Sequence, residues 1–199
     1  MGMLFFMKNR FRRYIFPEKE LLSSLASVIG KKTLSILDVG CGSGWFLARV
    51  LEIAPPGSYG VGIEVDSRYF SSVALGDGKK MVIQGENSLN NEHFDLVMFN
   101  DVLHHIDDKS FFLLRFLDRV SDSGTVLIKD MGTDHAICKY WNRLHDRILS
   151  GDKIRETSIK EIRAILPEKF KCVFCDQRRI LLYDHFWCIY KNSDTSASS

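Results

Sequence analysis

Short apolar runs alternate with longer stretches of helical periodicity along almost the whole chain. Residues 34–39, 59–64, 81–84, 94–99 and 125–129 have the length and apolar content of buried strands. Two further runs, 171–175 and 186–190, also predict strands. Between these runs, residues 18–29, 45–53, 67–75, 109–120, 135–149 and 159–166 repeat apolar positions at helical spacing. Alternation of this kind predicts an α/β fold: a mostly parallel sheet with helices on both faces. The last two strands have no helix between them and predict an antiparallel hairpin at one edge. Pro55-Pro56-Gly57, Gly76-Asp77-Gly78 and Asp122-Ser123-Gly124 punctuate the chain before the second, third and fifth strands. The pattern reads as one domain over residues 1–191, with a helical cap in residues 1–30 and a disordered, Ser-rich tail from 192 to 199.

Composition narrows the class of partner. The chain has 199 residues, 45% of them hydrophobic and 26% charged, which suits a single domain with a sizeable core. A formal net charge of +2 argues for neither nucleic acid nor membrane. Two basic stretches, Lys8 to Arg13 and Arg147 to Arg179, read as solvated faces. The cysteines are Cys41, Cys138, Cys172, Cys175 and Cys188; their number is odd and their spacing shows no disulfide framework. Cys172 and Cys175 fall within one predicted strand and face opposite sides, so no metal site is expected. The apolar run Met3 to Met7 precedes its basic cluster, the reverse of a secretory signal, and no run nears the ~20 residues of a membrane helix. The expectation is a reduced, cytoplasmic protein without a stable membrane anchor.

The chemistry concentrates at Ser35 to Phe46, SILDVGCGSGWF, where a strand runs into Gly40-Cys41-Gly42-Ser43-Gly44 and then a helix. Glycines there permit a tight turn and a close backbone approach to a ligand. The spacing is G-x-G-x-G, not the G-x-G-x-x-G of dinucleotide sites. Asp38 stands two residues before the first glycine, where it repels a pyrophosphate and suits a cationic amine. The pattern therefore favours S-adenosylmethionine over a nicotinamide cofactor. The stretch resembles the first motif of class I S-adenosylmethionine-dependent methyltransferases, and the similarity runs over residues 34–131. That resemblance implies a Rossmann-like seven-stranded sheet in the order 3-2-1-4-5-7-6, with the seventh strand antiparallel.

Further cofactor contacts follow in order. Glu64 ends the second strand twenty residues past Gly44, near the spacing expected of an acid that holds a ribose. Asp66 competes for that role, but Asp66-Ser67 reads as the N-cap of the next helix. Val65 is placed against the adenine. After the third strand, Glu86 stands where the resemblance implies an Asp on the adenine amine, and Asn87 offers a backbone N–H. The fourth strand and its sequel, FDLVMFNDVLHH, resemble the family's fourth motif. Asn100, at the carboxyl end of this strand, is a candidate for the methionine part, and Asp95 at its start is structural.

Methyl transfer needs the acceptor held in line with the methyl, and a base only when the acceptor carries a proton. His104 and His105 are the candidate bases. Asp130 is a candidate substrate contact or helix cap. Tyr140, Trp141 and His145 are candidates to border the substrate pocket under the aromatic, basic segment 4–16. The reading is a methyltransferase acting on a small molecule. The alternatives are a non-catalytic cofactor- or partner-binding module and a methyltransferase of protein or nucleic acid. The last is disfavoured because Asn100-Asp101-Val102-Leu103 does not resemble the Asn-Pro-Pro-Tyr-type motif of enzymes that methylate amino groups in nucleic acid.

Overall fold

The computed structural model describes residues 17–132, 155, 157–181 and 183–193. The predicted helix 135–149, the substrate candidates Tyr140, Trp141 and His145, and the segment 4–16 lie outside these residues. Two helices open the fold, α1 (Glu18–Val28) and α2 (Trp45–Ile53), and two follow later, α3 (Lys109–Leu117) and α4 (Ile159–Ile165). The strands are β1 (Ser35–Val39), β2 (Tyr59–Ile63), β3 (Ser71–Ala74), β4 (Lys80–Gln84), β5 (Phe94–Asn100), β6 (Val120–Met131), β7 (Phe170–Ile180) and β8 (Tyr183–Asn192). They form one sheet in the order β3-β4-β2-β1-β5-β6-β8-β7. β1, β2, β4, β5 and β6 pair in parallel, whereas β8 runs antiparallel to both β6 and β7.

Period-two alternation sorts the strand side chains into two cores. Ile36, Leu96, Met98, Leu127, Trp187 and Ile189 pack with Leu21 and Leu25 of α1 and Leu47 and Leu51 of α2. Their neighbours Leu37, Val97, Phe99, Val126, Ile128, Phe186 and Cys188 pack with Leu113 and Phe116 of α3 and Ile162 of α4. The central strands are thus buried on both faces. Their loops must emerge at the ends, and this places a ligand cleft at the carboxyl edge of the parallel strands.

Seven of the eight strands keep the expected order. The eighth, β3, corrects the predicted helix 67–75. Asp66 caps only one 3-10 turn, Ser67–Tyr69, through an N–H donated by Arg68 at 3.1 Å. The chain then extends as β3 and pairs antiparallel with β4. Gly76-Asp77-Gly78 is the hairpin turn between them, with φ of 59° at Asp77 and 70° at Gly78. Ser71, Ser72 and Val73 are weak helix formers, and every β3 side chain is exposed, so no core drew this segment into a helix. Asp122-Ser123-Gly124 lies in a bulge of β6: Phe94 pairs with Val120 and Leu96 with Thr125. Asn192, the first residue of the expected tail, ends β8, and the Ser193 N–H donates to the Lys169 carbonyl at 2.8 Å. Cys175 and Cys188 stand opposite each other on β7 and β8 and are joined as a disulfide, which departs from the expectation of reduced thiols. Among the described residues no helix is long and apolar enough to cross a membrane.

Candidate functional site

The glycine loop joins β1 to α2 at the carboxyl edge, between the ends of β2 and β5. Gly40 and Cys41 both donate their N–H to the Ile63 carbonyl, at 2.9 and 3.1 Å, which fastens the loop to the end of β2. Gly40 has φ of 73°, and a Cβ there would lie 2.5 Å from Val102 Cγ2. Gly42 has φ of 54°, yet a Cβ there would meet nothing within 4 Å. Its open side faces the cleft. Gly44, at φ 70°, caps α2 without a side-chain bond. Asp38 is buried at the end of β1. Burial, with the charges of Asp38 and Glu64 added, pushes the Cys41 thiol far above its usual range, so Cys41 stays protonated.

Glu64 closes the loop from the other side. One carboxylate oxygen, Oε2, accepts the Gly42 N–H at 2.7 Å. The other, Oε1, accepts the N–H of Val65 at 2.8 Å and of Asp66 at 3.2 Å. A carboxylate offers about four lone-pair sites, so part of its accepting capacity is left. Asp66 is turned away: its carboxylate pairs with Arg68, whose guanidinium holds that carboxyl below the usual range. Val65 is 97% exposed, an apolar side chain at the rim of the cleft. Glu86 is half-buried and pairs with Arg115 of α3, and Asn87 is exposed in the turn Glu86–Ser88. Asn100 ends β5 with its Oδ1 buried and without a hydrogen-bond partner among the described residues. Asp95, at the other end, accepts the Ser35 N–H and hydroxyl at 2.8 Å each and ties β1 to β5.

Beyond the glycine loop, the carboxyl ends of β5 and β6 hold a buried polar cluster. His104 Nδ1 lies 2.5 Å from Asp130 Oδ1, and the His104 N–H donates to Asp130 Oδ2 at 3.2 Å. His104 is 4% exposed and Asp130 fully buried. Asp130 therefore turns inward to His104 and not outward to the cleft. His105 is exposed, its ring centroid 4.0 Å from that of His104. Lys129, also fully buried, pairs with Asp101, a non-glycine residue at φ 55°. Asp101, His104 and Asp130 bring one ligand atom each within 4.8 Å of one another, but the Lys129 ammonium already supplies the cation beside Asp101. Sequence reasoning places Lys129-Asp130 at the mouth of the sheet but misses the pairing of Lys129 with Asp101 and of Arg115 with Glu86. Two consecutive ionisable residues at a strand end, Lys129-Asp130, were the available signal, because burying both demands partners.

Comparisons with known proteins bear on the family and the fold. Residues 7–171 match the methyltransferase domain family. The tRNA U34 carboxymethyltransferase of Dichelobacter nodosus is 29% identical over 182 residues, covering 74% of this chain. The match spans only 56% of that relative's length. The magnesium protoporphyrin IX methyltransferase of Synechocystis PCC 6803, solved with bound SAH, superposes with a TM-score of 0.64 at 16% identity, over 88% of this chain and 82% of that one. The 1,6-didemethyltoxoflavin-N1-methyltransferase of Burkholderia thailandensis, solved with S-adenosylhomocysteine, gives 0.55 at 19%, over 89% and 76%. The chain belongs to the methyltransferase domain family and shares the fold of S-adenosylmethionine-dependent methyltransferases.

Proposed function

We propose that this protein, as a single domain over residues 1–191, transfers a methyl group from S-adenosylmethionine to a small molecule. The observation that carries the cofactor placement is the Glu64 carboxylate clasped to the Gly42 N–H at 2.7 Å beside open space at Gly42. Ribose hydroxyls are donors, and Glu64, which already accepts three N–H groups, retains accepting capacity for one of them. Asp38 suits the amine of the methionine part and Asn100 Oδ1 its polar end, while Gly40, Gly42 and Gly44 shape the floor. Exposed Val65 suits an adenine face. Glu86 and Asn87 stand at the adenine edge, with Arg115 holding Glu86. The bound cofactor supplies the activated methyl. The chain's own groups orient it and exclude water.

Glu64→Ala is expected to have two effects. Three backbone N–H groups lose their acceptor, which costs the apoprotein about 1–3 kcal/mol. Cofactor affinity falls about 10–100-fold through loss of charge-assisted hydrogen bonds. Asp66→Ala is expected to lower the melting temperature slightly and leave affinity unchanged. Calorimetry and thermal unfolding of both variants test this; the reverse pattern assigns the ribose to Asp66.

A second reading, methylation of tRNA, is favoured by one observation: the name of the Dichelobacter nodosus relative. The net charge of +2 favours the small molecule, because each phosphate contact needs a cation. Methyl-labelled cofactor offered to a pool of small acceptors and to total tRNA should place label in the small-molecule fraction. Label in tRNA overturns the substrate class and leaves the cofactor placement standing.

A further inference from the structure

We propose that Phe70 is an aromatic wall of the cofactor site, and that the adenine ring stacks on it beside the Glu86 turn. The inference rests on the S-adenosylmethionine reading and adds a binding residue outside the glycine loop, Glu64 and Glu86.

The strand that replaces the expected helix determines where Phe70 lies. Asp66 caps the turn Ser67–Tyr69, and Phe70 ends it, its N–H donating to the Ser67 carbonyl at 3.1 Å. β3 begins at the next residue, Ser71, which pairs with Ile83 of β4. Because the pairing is antiparallel, β3 runs back from the carboxyl edge of the sheet. Phe70, just before it, stays at that edge beside the end of β4.

There the ring meets Gly85, the residue that follows β4. A Cβ on Gly85 would meet only Phe70, at 3.3 Å from Cζ and 3.7 Å from Cε2. Gly85 has ordinary extended backbone, with φ of −71°, so its missing side chain serves the close approach of the ring and not a turn. The outer edge of the ring makes this contact, and Gly85 covers neither face. Gly85 also stands between two residues of the proposed cofactor site. Gln84, before it, accepts the Glu64 N–H at 3.0 Å, and Glu86 follows it.

The ring is left available. Phe70 is 44% exposed, whereas Phe94, Phe99, Phe116, Phe170 and Phe186 are buried. No ring contact joins Phe70 to another of the described residues. The connection from β2 to β3 thus presents two exposed apolar side chains at the carboxyl edge, Val65 before its turn and Phe70 after it. A purine is planar and has two π-faces, so it covers such a ring by stacking.

Proton NMR of the full chain with S-adenosylhomocysteine tests the proposal, with the Phe70 ring signals assigned from Phe70→Leu. The expected result is nuclear Overhauser contact between the adenine protons and the Phe70 ring, with an upfield shift of those adenine protons that Phe70→Leu removes. A Phe70 that only packs on Gly85 would give neither. In calorimetry, Phe70→Ala should weaken S-adenosylhomocysteine about 5–100-fold, the scale of base–aromatic stacking, and Phe70→Tyr should restore most of the affinity. Absence of the ring contact with the ligand bound, or wild-type affinity in Phe70→Ala, overturns the proposal. The wild-type spectrum also separates the two readings. If S-adenosylhomocysteine does not bind, the cofactor placement falls and the adenine wall with it, whereas binding without the contact overturns the role of Phe70 alone.

Discussion

Gly40→Ala should destabilise the protein by roughly 2–5 kcal/mol, whereas Gly42→Ala, two residues on, should cost only about 1–2 kcal/mol and act chiefly on the cofactor. Both glycines lie in the left-handed region, at φ 73° and 54°, so each alanine carries the conformational strain. Only Gly40 adds a collision, since its Cβ would stand 2.5 Å from Val102 Cγ2 and 3.1 Å from Val102 Cβ, next to the turn that carries His104. Relief requires Val102 to shift and takes that turn with it. At Gly42 the new methyl projects into open space, where the proposed cofactor would approach the backbone. Cofactor affinity of Gly42→Ala should fall at least about 10-fold while the fold survives, since the methyl both fills the cradle and disturbs the N–H that Glu64 holds. Thermal unfolding with calorimetry separates the two cases. Equal stability of the two variants would contradict the loop geometry.

His104→Gln should reduce methyl transfer to a hydroxyl acceptor by about 10²–10⁴-fold, the range of general-base catalysis, with cofactor affinity nearly intact. Glutamine keeps hydrogen-bonding atoms near Asp130 but offers no basic nitrogen. Asp130→Asn should lower the rate less steeply, because the base remains and only its tautomer and orientation are lost. His105→Gln should have the smallest effect, since that ring is exposed. Single-turnover rates with calorimetry on each variant check the order. A His105 variant more damaging than the His104 variant would move the base to the solvent-side ring.

What the sequence made legible follows from local constraint. The path β1, glycine loop, α2, with Asp38 before it and Glu64 after it, was readable because each feature is set by neighbours within a strand and a turn. The layered fold was readable because buried parallel strands leave continuous apolar runs. The helix predicted over 67–75 failed for a physical reason. Its start was a true cap at Asp66, but a cap stops after one turn when no apolar face follows to be buried. The polar cluster was only half readable. Nothing in Leu103-His104-His105 tells which ring turns inward, because that is decided by Asp130, 26 residues away. A similar separation in sequence hid the pairing of Lys129 with Asp101 and of Arg115 with Glu86. Glu64 faces the glycine loop, and its bond to the Gly42 N–H is a tertiary contact that no spacing reveals.

Isothermal titration of the wild-type chain with S-adenosylhomocysteine, with NAD as the control ligand, tests the central claim most directly. The product is the better probe because it binds the same cradle without turning over. One-to-one binding of S-adenosylhomocysteine, and none of NAD, is the predicted result. Binding of NAD with no heat from S-adenosylhomocysteine would contradict the account.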